Sequence, residues 1–239
     1  MLEDLTTYPQ QQQYYRINLT ALSWPELRAA TGNPVGFVLA LPFLGFMKAF
    51  RIPMTATVMP KEITFRPLSF ALAPAVASRL QGLVEQMQAL GFRPFSTFEI
   101  PEMPYRVAIF ALVREGGTAY ADVGYFPVRG RHYFELVSYF ADGSSLTTVN
   151  RKEGVSLQSP PGRFNQYVAT QSPGVALDQH QEQALAMVAE HGALRSDLTE
   201  ETYFADFRAY MRRFVHFQAQ RGVATPTLPP ISSPGAWQR

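Results

Sequence analysis

The sequence predicts an α+β domain in which a mainly antiparallel sheet of about five strands is packed by amphipathic helices. Three observations carry that expectation. Between Phe92 and Asn150, β-rich runs follow one another in hairpin order, without the strand–helix alternation of a doubly wound fold. Before them, Val76, Leu80, Leu83, Val84, Met87 and Leu90 recur at helical spacing. After them, Tyr203, Phe204, Phe207, Tyr210, Met211, Phe214, Val215 and Phe217 form one broad apolar face opposite Arg208, Arg212 and Arg213.

From the N-terminus, MLEDLTTYPQQQQYYRINLT is acidic and then Gln-rich, lacking the basic and then apolar stretches of a secretory signal. It reads as a mature, flexible start. Asn18-Leu19-Thr20 matches the glycosylation sequon, a pattern frequent by chance. Ser23 is placed as the N-cap of a short helix, with Pro25 in its first turn, Glu26 closing a capping box and Gly32 ending it. Residues 29–47 then carry no charge, and PVGFVLALPFLGFM is almost continuously apolar. A run of about 10–14 apolar residues is a buried core helix or an interfacial segment, whereas a span takes about 20. Pro42 is expected to break the run. Tyr14, Tyr15 and Trp24 before it, and Lys48, Arg51 and Lys61 after it, match the aromatic and basic flanks of a lipid headgroup layer. Core packing and membrane contact account for the run equally well.

MTATVMPKEITF supplies short strands, and the helix from Pro74 to Leu90 closes on Gly91 with Phe92 as its hydrophobic cap contact. Tyr105 to Val113 is apolar on both alternating sets, as a central strand covered on both faces requires. Gly116-Gly117 marks a tight hairpin. Residues 151–171 read as a loop broken by Pro160-Pro161-Gly162. A second helix follows from about Pro173 to His191, and a third, capped by Asp197 and Glu200, runs to about Arg221. The chain thus divides into a flexible segment with a short helix (1–33), an apolar segment (34–53), an α+β domain (54–221) and a Pro-rich tail (222–239).

The stretch FELVSYFADGSSLTTVN sets a register. A two-residue Asp-Gly loop pairs Tyr139 with Leu146. A three-residue Ala-Asp-Gly loop with Gly143 in the left-handed conformation pairs Ser138 with Leu146, which puts Leu146 on the face of Phe134, Leu136 and Phe140. Burial favours the second. Asn150 falls on the same face at the strand end.

Composition excludes several functions. With 21 basic and 19 acidic residues, the net charge of +2 is too small to support nucleic-acid binding. The absence of cysteine removes disulfides, thiolate nucleophiles and Cys-ligated metals. No Gly-rich phosphate loop or internal repeat is present. Of the histidines, His132, His180, His191 and His216, none stands in a ligand motif, and His180 and His191 lie about 16 Å apart on one helix at 1.5 Å per residue. His191 beside Gly192 suits a helix C-terminus. Glu99, Asp122 and Glu135 lie on predicted strands, where a converging carboxylate pair would serve hydrolysis. Ser144 and Ser145 lack the surroundings of a nucleophile. No catalytic, cofactor-binding or metal-binding residue is assigned, and no cofactor is implied. The arginines of the last helix read as a solvated face, with anionic lipid as the other use.

Leu90-Gly91-Phe92, then Phe140-Ala141-Asp142-Gly143-Ser144-Ser145-Leu146-Thr147-Thr148-Val149-Asn150, then Pro160-Pro161 and His180 carry a resemblance over about half the chain. The order of features resembles a widespread group of functionally uncharacterised bacterial proteins with a short N-terminal hydrophobic segment and a soluble domain containing FxDGxxLxTxN. It implies a membrane-tethered domain and no known activity. The expectation is therefore a non-catalytic, membrane-associated or cytoplasmic accessory domain, in contact with lipid or a membrane protein through residues 34–53. The alternative is a soluble, hydrolase-like enzyme with a carboxylate/histidine site on the sheet.

Overall fold

The structure, a computed structural model, describes residues 14–31, 34–50, 52, 54–103, 107–126, 131–150 and 157–227. Along the chain run β1 (Tyr14–Asn18), a 3-10 turn (Leu19–Ala21), α1 (Trp24–Thr31), α2 (Pro34–Ala49), β2 (Thr55–Pro60), β3 (Arg66–Pro67), α3 (Pro74–Ala89), β4 (Phe92–Glu99) and β5 (Ala108–Arg114). There follow β6 (Tyr120–Phe126), β7 (Arg131–Tyr139), β8 (Ser145–Val149), β9 (Arg163–Tyr167), α4 (Pro173–His191), α5 (Glu200–Gln220) and β10 (Ala224–Thr227).

The α+β class holds, with a larger main sheet than the sequence suggests: seven strands in the order β3-β4-β5-β6-β7-β8-β9. Each junction is antiparallel except β8–β9, which is parallel, so the sheet is mixed. The extra strands escape periodicity for physical reasons. β3 is two residues long, and β9 is a polar edge strand inside the stretch expected as a loop, with Phe164 and Tyr167 exposed.

Alternation along the central strands sends two apolar sets to opposite faces. Leu112, Ala121, Val123, Phe134 and Leu136 pack on Leu80, Val84 and Met87 of α3 and on Ala176 and Leu177 of α4. Val113, Tyr120, Val137 and Tyr139 face the other way and meet Tyr203 and Met211 of α5. The sheet is therefore covered on both sides, as the doubly apolar β5 requires.

The expected register of the β7–β8 hairpin is present: Ser138 pairs with Leu146, and Gly143 has φ of 82°. Asp142 accepts a hydrogen bond from the Ser144 N–H at 2.8 Å and thereby shapes the turn. Asn150 lies on the Leu146 face, and its Oδ1 accepts from the Phe134 N–H at 3.1 Å.

The two ends of the chain depart from expectation. β1 is the middle strand of a second sheet, ordered β10-β1-β2, where residues 14–18 had read as part of a flexible segment. β10 begins the Pro-rich tail and pairs Thr225 with Arg16 and Ala224 with Ile17. Ile17, Leu22, Leu27 and Val223 form a small core there, built from apolar residues that no single segment supplies in number. Residues 1–13 and 228–239, with Gly32 and Arg51, lie outside the described residues.

At α1 the capping box is formed as expected: Glu26 Oε2 accepts from the Ser23 N–H at 2.8 Å and the Ser23 hydroxyl at 2.7 Å. At α5 the N-cap is Thr199, in a reciprocal pair with Thr202, rather than Asp197. Asp197 instead pairs with Arg195 at 2.9 Å. Pro42 does not break α2, which is helical on both sides of it. The ring withholds one hydrogen bond from the Val38 carbonyl, on a helix whose Val38 and Leu39 are exposed.

Candidate functional site

Three arrangements hold chemistry, and each grows from a different feature of the sequence. The first is α2. Of its 16 residues only Leu44 is buried, while Val35, Val38, Leu39, Phe43 and Phe46, with Phe50 just beyond, are exposed. Their spacing places them along one side of the helix, and Leu39 is 78% exposed. At 1.5 Å per residue the helix is about 24 Å long, short of the roughly 30 Å hydrocarbon core. No helix among the described residues is long and apolar enough to cross a membrane.

The C-terminal end of α2 is anchored inward. Lys48 Nζ donates to the carbonyls of Thr20 at 2.9 Å and Leu22 at 2.5 Å, and lies 5.4 Å from the centre of the Trp24 ring. This lysine, expected as a headgroup contact, instead closes the 3-10 turn. Glu26 locks the other side of α1, accepting from the Gln158 N–H at 2.7 Å and from Arg221 at 2.9 and 2.7 Å. The apolar helix thus stands on a fixed base.

The second arrangement surrounds His180 of α4, which is 1% exposed. Its Nε2 lies 2.9 Å from the Ser138 hydroxyl and its Nδ1 lies 2.7 Å from the Thr148 hydroxyl. Ser138 also reaches the Thr118 carbonyl at 2.8 Å, and Thr148 reaches Gln166 Oε1 at 2.9 Å. Burial, with Arg114 adding to it, pushes the ring down to about 4. At neutral pH the imidazole is uncharged and carries one N–H, so one of the two hydroxyls turns its proton to the ring. The network joins α4, β7, β8 and β9 through the imidazole and the two hydroxyls.

The third is the carboxyl pair. Asp122 and Glu135 are direct partners across β6 and β7, on the face covered by α5, and the Tyr203 hydroxyl donates to Asp122 at 2.8 Å. Burial first, then the neighbouring Glu135, pushes the Asp122 carboxyl well up. Arg163 adds positive charge to the same region, with its guanidinium 3.6 Å from the centre of the Tyr210 ring.

The remaining candidates do not gather. Glu99 lies beside Ser69 on β4, and His132 belongs to the opposite face of the sheet from Asp122, against Tyr125 at 5.0 Å between ring centres. His191 ends α4 and pairs with Asp142 at 2.9 Å, while His216 is exposed and meets Gln220. Ser144 and Ser145 are buried behind the hairpin. Arg212 pairs with Glu62 at 2.9 Å and Arg208 lies over Phe65, which commits part of the basic face of α5. Among the described residues no group of three or more His, Asp or Glu could hold a metal ion.

Sequence reasoning missed Ser138, Thr148 and Gln166 around His180, and Tyr203 above Asp122. Ser138 and Thr148 were visible as polar residues on the apolar face of the hairpin, a signal that a polar partner arrives from the covering helix. The fold and these sites define an α+β domain with an exposed apolar helix and two buried polar clusters. Compared with protein-family models, curated proteins and solved structures, the chain matches none of them.

Proposed function

We propose that the chain is a non-catalytic accessory or binding domain that associates with membrane lipid by laying α2 into the interfacial layer. The observation that carries this reading is the row of exposed side chains from Val35 to Phe50 on a helix that buries only Leu44. Contiguous apolar surface of this kind marks an interaction site. Lipid is favoured over a protein partner because no side chain from Val35 to Met47 carries a hydrogen-bonding group. An acyl layer asks for none, whereas a protein interface is rimmed by polar groups. Trp24, 43% exposed at the base of the helix, suits the headgroup boundary. The tethered bacterial proteins that the FxDGxxLxTxN motif resembles are in keeping with it.

Flotation of the full chain with phosphatidylcholine vesicles tests the proposal. The protein is expected in the floating fraction, and Leu39→Asp is expected to lower binding about tenfold or more, from the transfer cost of one large apolar side chain plus a charge. A protein that stays at the bottom of the gradient, and shows a concentration-dependent dimer by light scattering that Leu39→Asp abolishes, contradicts it in favour of a contact between copies.

One observation favours the enzymatic reading: Asp122 and Glu135 converge. Asp122 is only 4% exposed, however, and a hydrolytic carboxylate must reach substrate and water. Turnover of glycoside or ester substrates that is lost in both Asp122→Asn and Glu135→Gln would establish that second reading.

A further inference from the structure

A cavity of about 510 Å³ opens where the β5–β6 turn and β7 meet α4, away from both the apolar helix and the buried carboxyl pair. Its volume is within the roughly 300–1,000 Å³ of small-ligand sites. Exposure orders its walls. Ser138 and His180, 2% and 1% exposed, form the floor, and Leu185, 69% exposed, stands at the mouth beside Arg114. Ala184 and Leu194 complete an apolar wall.

Arg114 gives the cavity its sign. Among the described residues no carboxylate lies within ion-pair distance of its guanidinium. Gln181, with its amide oxygen turned inward, is the group that meets it. A neutral amide on a guanidinium occupies the place where a carboxylate would make a bidentate, charge-assisted pair. The single cation, with Glu115 on the same rim, is a poor match for a phosphate dianion. Four of the ten lining residues, Ala119, Ala184, Leu185 and Leu194, are hydrocarbon, which asks the ligand for an apolar body.

We propose that this cavity binds a small monocarboxylate with an apolar body, its carboxylate on Arg114 and its hydrocarbon against Ala184, Leu185 and Leu194. Gln181 swings aside or shares the guanidinium, and the Ser138 hydroxyl presents the polar floor. The site is independent of the membrane-binding reading of α2.

Isothermal titration calorimetry of the full chain with octanoate tests it, with acetate and octylammonium as comparisons. Octanoate is expected to saturate a single site, acetate to bind at least about tenfold more weakly for want of an apolar body, and octylammonium not to bind. Arg114→Gln is expected to weaken octanoate about tenfold or more, and Leu185→Glu at the exposed mouth to do the same without touching the core. Leu39→Asp on α2 is expected to leave the affinity unchanged, which separates this site from the apolar helix. Absence of saturable octanoate binding, full affinity in Arg114→Gln, equal binding of octylammonium, or loss of binding in Leu39→Asp would each overturn the proposal.

Discussion

The Thr148 hydroxyl lies 2.7 Å from Nδ1 of His180, a contact between residues 32 apart that fastens α4 to the β7–β8 hairpin. Because burial, aided by Arg114, holds the ring down at about 4 against an ordinary 6.5, the native state resists protonation where the unfolded chain accepts it. Stability from this group is complete above pH 6.5 and falls as the pH drops toward 4, by about 3 kcal/mol in all. Urea unfolding of the wild type and of His180→Gln between pH 7.5 and 4 checks this. The difference between the two proteins is expected to shrink steadily toward low pH.

Asp122 titrates in the opposite sense. Its native pKa is raised, so the folded protein keeps a proton that the unfolded chain releases, and stability falls as the pH climbs above 3.8. Asn at this position offers Oδ1 to Tyr203 and N–H groups to Glu135 without charge. Asp122→Asn is expected to unfold at the same or a higher temperature than the wild type at pH 7. Tyr203→Phe, which strips a hydrogen bond from a buried carboxyl, is expected to lose about 1–3 kcal/mol.

Gly124 lies beneath the Tyr133 ring, and a Cβ built there would meet ring atoms at 2.4 to 2.5 Å. Gly124→Ala is expected to cost about 1–3 kcal/mol through displacement of that ring, measurable by denaturant unfolding. Gly143→Ala has open space, and its cost comes only from the positive φ, about 1–2 kcal/mol.

Burial works to raise the Glu26 carboxyl, but hydrogen bonds from Arg221, the Gln158 N–H and Ser23 outweigh it and hold it down at about 2. Its contribution is present above pH 4.5 and lost as the pH falls through about 2. Glu26→Gln is expected to lose about 1.5–3 kcal/mol at pH 7 from its charged hydrogen bonds. Hydrogen exchange should show the loss first in α1 and at the end of α5.

Legibility followed the range of the interactions. The hairpin register, with Ser138 opposite Leu146, was readable because a three-residue loop and period-2 burial are local. So was the Ser23–Glu26 box. The pairing of β1 with β10 joins residues more than 200 positions apart, each strand too short and mixed to announce itself. β9 was hidden for a related reason: its register with β8 lies in backbone hydrogen bonds, and its exposed side chains have no pattern. At the candidate sites, Asp122 and Glu135 were singled out singly, and their meeting depended on the β6–β7 register. That His180 is the residue which meets Ser138 and Thr148 was invisible because α4 docks on the sheet through tertiary packing.

Lipid contact by α2 is the central claim, and the chain has no cysteine, so a single introduced one can be labelled uniquely. The most direct measurement is the emission of an environment-sensitive fluorophore on Phe43→Cys, with and without phosphatidylcholine vesicles, against the same label on Gln81→Cys of the exposed face of α3. A blue shift with vesicles at position 43 and none at position 81 is the predicted result; unchanged emission at position 43 would contradict the account.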